Sequence, residues 1–98
     1  MATKKSPRLR VEQLSDLPIP PGEYLAEVLA ELSLNQLEVA RQLARPPQTI
    51  SAIVRGKKAI TAETAIQFET ALGVPAYFWL NLEAQYQLAL ARQRLAVK

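Results

Sequence analysis

Gln48, Ala52 and Arg55 stand at i, i+4 and i+7, a spacing that lines three side chains along one stripe of an α-helix. Pro47, Thr49 and Ser51 lie beside that stripe, while Ile50, Ile53 and Val54 fall on the opposite side. A glutamine amide can pair with N6 and N7 of adenine, and alanine and threonine methyls suit the thymine methyl. The surrounding charge fits the same chemistry. Between Val39 and Ala62 the basic residues Arg41, Arg45, Arg55, Lys57 and Lys58 occur with no acid among them. A charge run is most often a solvated face. A basic block around a short helix is also the electrostatic footprint of nucleic-acid binding, and the two features together favour base readout.

Other chemistry has little to work with. The 98 residues contain no cysteine and no histidine, and the single aspartate is Asp16. Disulfides and thiolate metal sites are excluded. With no imidazole or thiol, and with carboxylates spread over helix surfaces, no catalytic residue, metal or cofactor is expected. No apolar run approaches the ~20 residues of a membrane span. Lys4, Lys5, Arg8 and Arg10 are not followed by a signal-peptide core, so a cytoplasmic, non-membrane protein is expected.

The elements that must position the stripe are all helical. The apolar spacing predicts an all-α chain of five helices. The first opens in "PPGEYLAEVLAEL", with Leu25, Val28, Leu29 and Leu32 as its buried stripe. The second follows Asn35, whose spacing to Glu38 is that of a capping box, and uses Leu37, Val39, Ala40 and Leu43. The third runs from Pro47 to Val54 and stops at Gly56. Thr61 caps the fourth and Gly73 closes it; the fifth starts near Pro75 and reaches Leu95. Three parts result: a basic tail over 1–19, flexible or a short strand, a helix-turn-helix domain over 20–82, and a helical extension over 83–98 that serves dimerisation.

Two short helices separated by a few residues have the layout in which the second enters the DNA major groove. Pro46 and Pro47 then start that helix rather than break it. Pro47 restricts Pro46 to the extended conformation of an N-cap, and proline at the first helical position lacks an N–H that would be unsatisfied anyway. The missing side-chain cap costs about 1 kcal/mol. The N–H groups of Gln48 and Thr49 are expected to stay open, as a phosphate or base edge requires.

The stretch "LNQLEVARQLARPPQTISAIVRGKKAITAETAIQFETALGVPAYFWLNLEAQY", preceded by "PPGEYLAEVL", resembles the XRE-type helix-turn-helix of HigA-type antitoxins, also called plasmid maintenance antidote proteins. The resemblance implies a five-helix, lambda-repressor-like DNA-binding fold and a dimer that represses its own operon. It further implies neutralisation of a small ribosome-dependent mRNA-cleaving toxin. By position it implies that Gln36 contacts a phosphate, that Pro47, Gln48 and Ala52 meet bases, and that Arg55 and Lys57, with Lys58 beside them, meet the DNA backbone. The chain departs from the family at Ala44, where glycine is usual in a left-handed turn. Arg45-Pro46 replaces a hydrophobic residue and a capping serine, and Arg55 replaces a frequent asparagine.

Two further surfaces follow. Ala84, Leu88, Ala91 and Leu95 have the four-three-four step of an a/d seam, expected to pair two copies with help from Tyr77, Phe78 and Trp79. Glu23, Glu27 and Glu31 form one stripe, either a solvated face or a docking surface for a basic toxin. A repressor without a toxin, and a protein-interaction module with a vestigial helix-turn-helix, remain alternatives at this stage.

Overall fold

The computed structural model describes residues 18–96, which form five α-helices and no strand. They are α1 (Pro21–Glu31), α2 (Gln36–Leu43), α3 (Pro47–Val54), α4 (Ala62–Leu72) and α5 (Ala76–Ala96). The tail expected over 1–19 falls almost wholly on residues outside the described range.

One core joins them. Leu25 of α1, Val39 of α2, Ile50 of α3, Phe68 of α4 and Trp79 of α5 are fully buried in a single cluster. Trp79 lies at its aromatic centre, edge-on to Phe68 at 5.1 Å and to Tyr24 at 5.5 Å between ring centroids. Its indole N–H donates to the Val74 carbonyl at 3.2 Å, so the one polar atom of the ring is satisfied within the chain. This corrects the expectation that Trp79 helps pair two copies, because a wholly buried ring has no surface to offer. Phe78 is half-buried against Tyr24 at 5.1 Å, and Tyr77 alone of the three is well exposed. Leu32, expected in the buried stripe of α1, and Leu37, counted among the apolar residues of α2, are likewise about half exposed, at 46% and 51%. Both flank the α1–α2 corner, where the chain turns away before the helical period brings them onto the core.

The helix starts follow the local sequence. Glu38 N–H donates to Asn35 Oδ1 and Asn35 N–H to Glu38 Oε1, each at 2.8 Å, closing the capping box. Thr61 Oγ1 accepts the Thr64 N–H at 3.3 Å. Three of the helix ends share a single device. After α1, α2 and α3 the N–H of one residue reaches back five positions while its predecessor reaches back three. The pairs are Leu34 to Leu29 with Ser33 to Ala30, Arg45 to Ala40 with Ala44 to Arg41, and Lys57 to Ala52 with Gly56 to Ile53. This is the Schellman arrangement, and it needs a left-handed residue in the middle. Gly56 supplies it freely at φ 76°, but Ser33 at φ 58° and Ala44 at φ 55° supply it against the steric preference of an L-residue.

Ala44 therefore carries strain that glycine would relieve. The left-handed penalty of roughly 1–2 kcal/mol exceeds the added unfolded-state entropy of glycine, roughly 0.4–1 kcal/mol. Ala44→Gly is expected to stabilise the domain by about 0.5–1 kcal/mol, read as a higher urea midpoint at unchanged m-value. A lower midpoint would show that the turn is not strained.

Candidate nucleic-acid interface

The eight residues of α3 are too few to persist as a helix alone, so tertiary contacts must hold it. Ile50 and Ile53, both essentially inaccessible, bind its inner face to the core, each stabilising by roughly 2 kcal/mol. Its start is the one the paired prolines predict. Pro46 sits at φ −61°, ψ 141° as an extended N-cap without a side-chain bond, and Pro47 is the first helical residue. The same device opens α1, where Pro20 has φ −66°, ψ 144° and Pro21 follows. One expectation needs correction. Thr49 N–H donates to the Pro46 carbonyl at 2.9 Å, closing a tight first turn, so of the two only the Gln48 N–H stands open among the described residues.

On the outer face Pro47 and Gln48 are exposed, and Thr49, Ser51 and Ala52 are half-buried beside them. Arg55, Lys57 and Lys58 project from the exposed end, and Gln36 is exposed at the first position of α2. Ser51 is partly engaged, since Arg55 Nε donates to its Oγ at 3.3 Å, which leans the guanidinium along α3. Arg45 does not join this surface. Its Nε donates to Gln67 Oε1 at 2.6 Å, and Gln67 Nε2 in turn donates to the Leu43 carbonyl at 3.3 Å. The strained turn between α2 and α3 is thus clamped onto α4 by one arginine–glutamine pair. Periodicity holds no sign of this bond, which links residues more than twenty positions apart.

Behind α3 lies a close backbone approach. Gly22, in the first turn of α1, faces the C-terminal end of α3 so closely that a Cβ there would collide with the Ile53 carbonyl and come 2.6 Å from Val54 Cα. Next to it, a Cβ on Gly56 would stand 3.0 Å from the Pro20 ring. The segment Pro20–Gly22 is a seat for the end of α3. The only hint of it in the sequence is a glycine at the head of a helical run.

The other predicted surfaces are mostly open. Glu23, Glu27 and Glu31 are all exposed on α1. Along α5, Ala84, Leu88 and Leu95 are exposed and Ala91 is half-buried, with Leu88 at 51% and Leu95 at 70% exposure. Among the described residues no helix is long and apolar enough to cross a membrane.

A family model described as helix-turn-helix matches residues 25–79. The chain is 36% identical over 77 residues to an uncharacterised HTH-type transcriptional regulator of Escherichia coli K12, covering 79% of this chain and 82% of that one. The solved structure of a HigA-family addiction module antidote protein from Coxiella burnetii superposes with a TM-score of 0.75 at 38% identity, covering 79% of this chain and 85% of that one. The Pseudomonas aeruginosa antitoxin HigA, solved with the higBA promoter, gives a TM-score of 0.75 at 37% identity, with 79% and 85% covered.

The Gly22 contact has a direct test. The atoms a new methyl would meet are backbone atoms, which cannot swing aside as a side chain would. Gly22→Ala is expected to cost about 2 kcal/mol or more, within or beyond the usual range for overpacking. Urea unfolding measures it. A loss below about 0.5 kcal/mol would mean that α1 and α3 separate easily.

Proposed function

The chain belongs to the helix-turn-helix family, and from that premise we propose that it is a sequence-specific DNA-binding autorepressor serving as the antitoxin of a toxin–antitoxin pair. The observation that carries the DNA-binding half is the division of α3. Its inner face is sealed into the core by Ile50 and Ile53, leaving Gln48, Ala52 and Arg55 along its outer side. The antitoxin half rests on the similarity to antidote proteins, including one solved with promoter DNA.

In this reading α3 lies in the major groove. Gln48 pairs with adenine, Ala52 and the Thr49 methyl lie against a base edge, and Pro47 packs at the entry. The open Gln48 N–H at the helix start favours a phosphate. Gln36, Ser51, Arg55, Lys57 and Lys58 hold the DNA backbone and set the register, carrying no sequence information themselves. Two copies pair through the Ala84, Leu88, Ala91 and Leu95 stripe of α5, with exposed Tyr77 and half-buried Phe78 nearby. This places two recognition helices about 34 Å apart on paired half-sites. Glu23, Glu27 and Glu31 face a small basic toxin, on the opposite charge to the DNA-binding block. The protein works in the cytoplasm, without cofactor or catalytic residue.

Gln48→Ala is expected to weaken binding to the preferred operator by about 1–3 kcal/mol and relax one base position, measured by titrating labelled duplexes that vary base by base. Unchanged affinity and preference would exclude base reading by that side chain. Replacing Lys57 and Lys58 together is expected to weaken all sequences alike and flatten the salt slope by about two charges.

The seam on α5 is tested by sedimentation at matched concentrations. The parent is expected as a dimer and Leu88→Glu as a monomer, because the charge would be buried unpaired in the seam. A fully dimeric mutant would place the interface elsewhere.

A further inference from the structure

Among the described residues, the turn that carries Lys57 and Lys58 is hydrogen-bonded at its two ends only. At the start, Lys57 N–H donates to the Ala52 carbonyl at 2.8 Å and Gly56 holds the left-handed bend. At the end, Ile60 is buried at 3% exposure, and its N–H donates to Glu83 Oε1 on α5 at 3.0 Å. Between these anchors Lys58 and Ala59 are exposed, and neither N–H has a backbone partner among the described residues. A cleft of about 170 Å³ lies beneath the turn, lined by Gly22, Gly56, Lys57, Ile60, Glu83 and Tyr86 among others. The carboxylate itself is braced, because Gln87 Nε2, one helical turn on, donates to Glu83 Oε2 at 2.8 Å.

We propose that Glu83 is a positioning residue for DNA binding, fixing through the Ile60 N–H the turn that presents Lys57 and Lys58 to the phosphate backbone. The inference rests on the DNA-binding reading above and extends it to a residue on another helix that does not touch DNA. It also assigns a carboxylate to a place where charge alone makes it unfavourable. A negative group beside two phosphate-seeking lysines weakens attraction to DNA, so its contribution must come through geometry. Phosphate contacts need the ammonium groups at defined places along the strand, and a turn that keeps the buried Ile60 side chain but loses this hydrogen bond holds them less well.

Two substitutions at one position separate geometry from charge. Glu83→Ala removes the acceptor and the charge together. Glu83→Gln removes the charge but keeps a carbonyl oxygen for the Ile60 N–H. Binding to a labelled duplex of mixed sequence suffices, because the lysine contacts are sequence-independent. Glu83→Ala is expected to bind about five- to tenfold more weakly, the order of one lost hydrogen-bond constraint, and with a flatter salt slope. Glu83→Gln is expected to bind as tightly as the parent or more tightly. A protein that is merely less stable would lose active molecules but keep the parent's salt slope. The proposal is overturned if Glu83→Ala keeps that slope, or if both variants tighten binding, as removal of charge alone would do. Should Glu83→Ala fail to fold, Gln87→Ala releases the brace while leaving the Ile60 acceptor present. It is expected to lose affinity in the same direction, and parent-like binding by it would overturn the proposal. Parent protein that shows no salt-dependent duplex binding would instead remove the DNA-binding reading, and this inference with it.

Discussion

The N-terminal end of α1 meets the C-terminal end of α3 with almost nothing between them. Gly22 makes this possible, since any side chain there would strike the carbonyls of Ile53 and Val54. The approach is also electrostatically favourable. The first turn of a helix carries a partial positive charge and the last turn a partial negative one, so the two ends complement each other. Pro20 and Gly56 close the seat from either side. Because α3 is only two turns long, this seat and the two buried isoleucines set its position, and everything the outer face can do depends on that position.

The connections around α3 serve the same end. The turn before it adopts a left-handed alanine and is tied to α4 through Arg45 and Gln67. The turn after it uses a left-handed glycine and is tied to α5 through Ile60 and Glu83. Both ties join residues far apart in the chain, and both terminate on helices that line the core. The short α3 is therefore part of a frame, with its ends fixed to separate supports. A rigid frame suits the proposed reading of base edges by α3, because affinity is not then spent on ordering the helix at the moment of binding. The strain at Ala44 and Ser33 is the cost of making sharp turns without glycine, and the core is large enough to offset it.

Charge divides along the same lines. The exposed acids Glu23, Glu27 and Glu31 belong to α1, and the exposed bases Arg55, Lys57 and Lys58 follow α3. These two groups of like charge sit on different elements, with Glu38 and Arg41 of α2 and Glu63 and Glu69 of α4 also exposed. On α5, Leu88 and Leu95 stand exposed as large apolar residues.

The five helices, their caps and the Pro-Pro start of α3 were legible in the residues because each rests on neighbours within four or five positions. A capping box, a helix-initiating proline and a left-handed residue after a helix are local bargains between backbone dihedrals and nearby donors. Even Ala44 could be read this way, as a strained stand-in for glycine. The stripe of Gln48, Ala52 and Arg55 was equally plain, since helical periodicity alone sorts one side of α3 from the other. Tertiary structure decided the rest. Which apolar residue is core and which is surface at a helix corner depends on where the chain turns, so Leu32 and Leu37 came out exposed. Trp79 went to the core because Phe68 and Tyr24 leave an aromatic site there, which the run Tyr77-Phe78-Trp79 does not reveal. Arg45, counted with the basic block, found Gln67, and Glu83 found the Ile60 N–H, through contacts spanning more than twenty residues. Sequence determined the elements and the outward side of α3, because those follow from periods of a few residues. What holds that face in place was decided only when distant segments met, because close packing and the need to satisfy buried N–H groups act across space rather than along the chain.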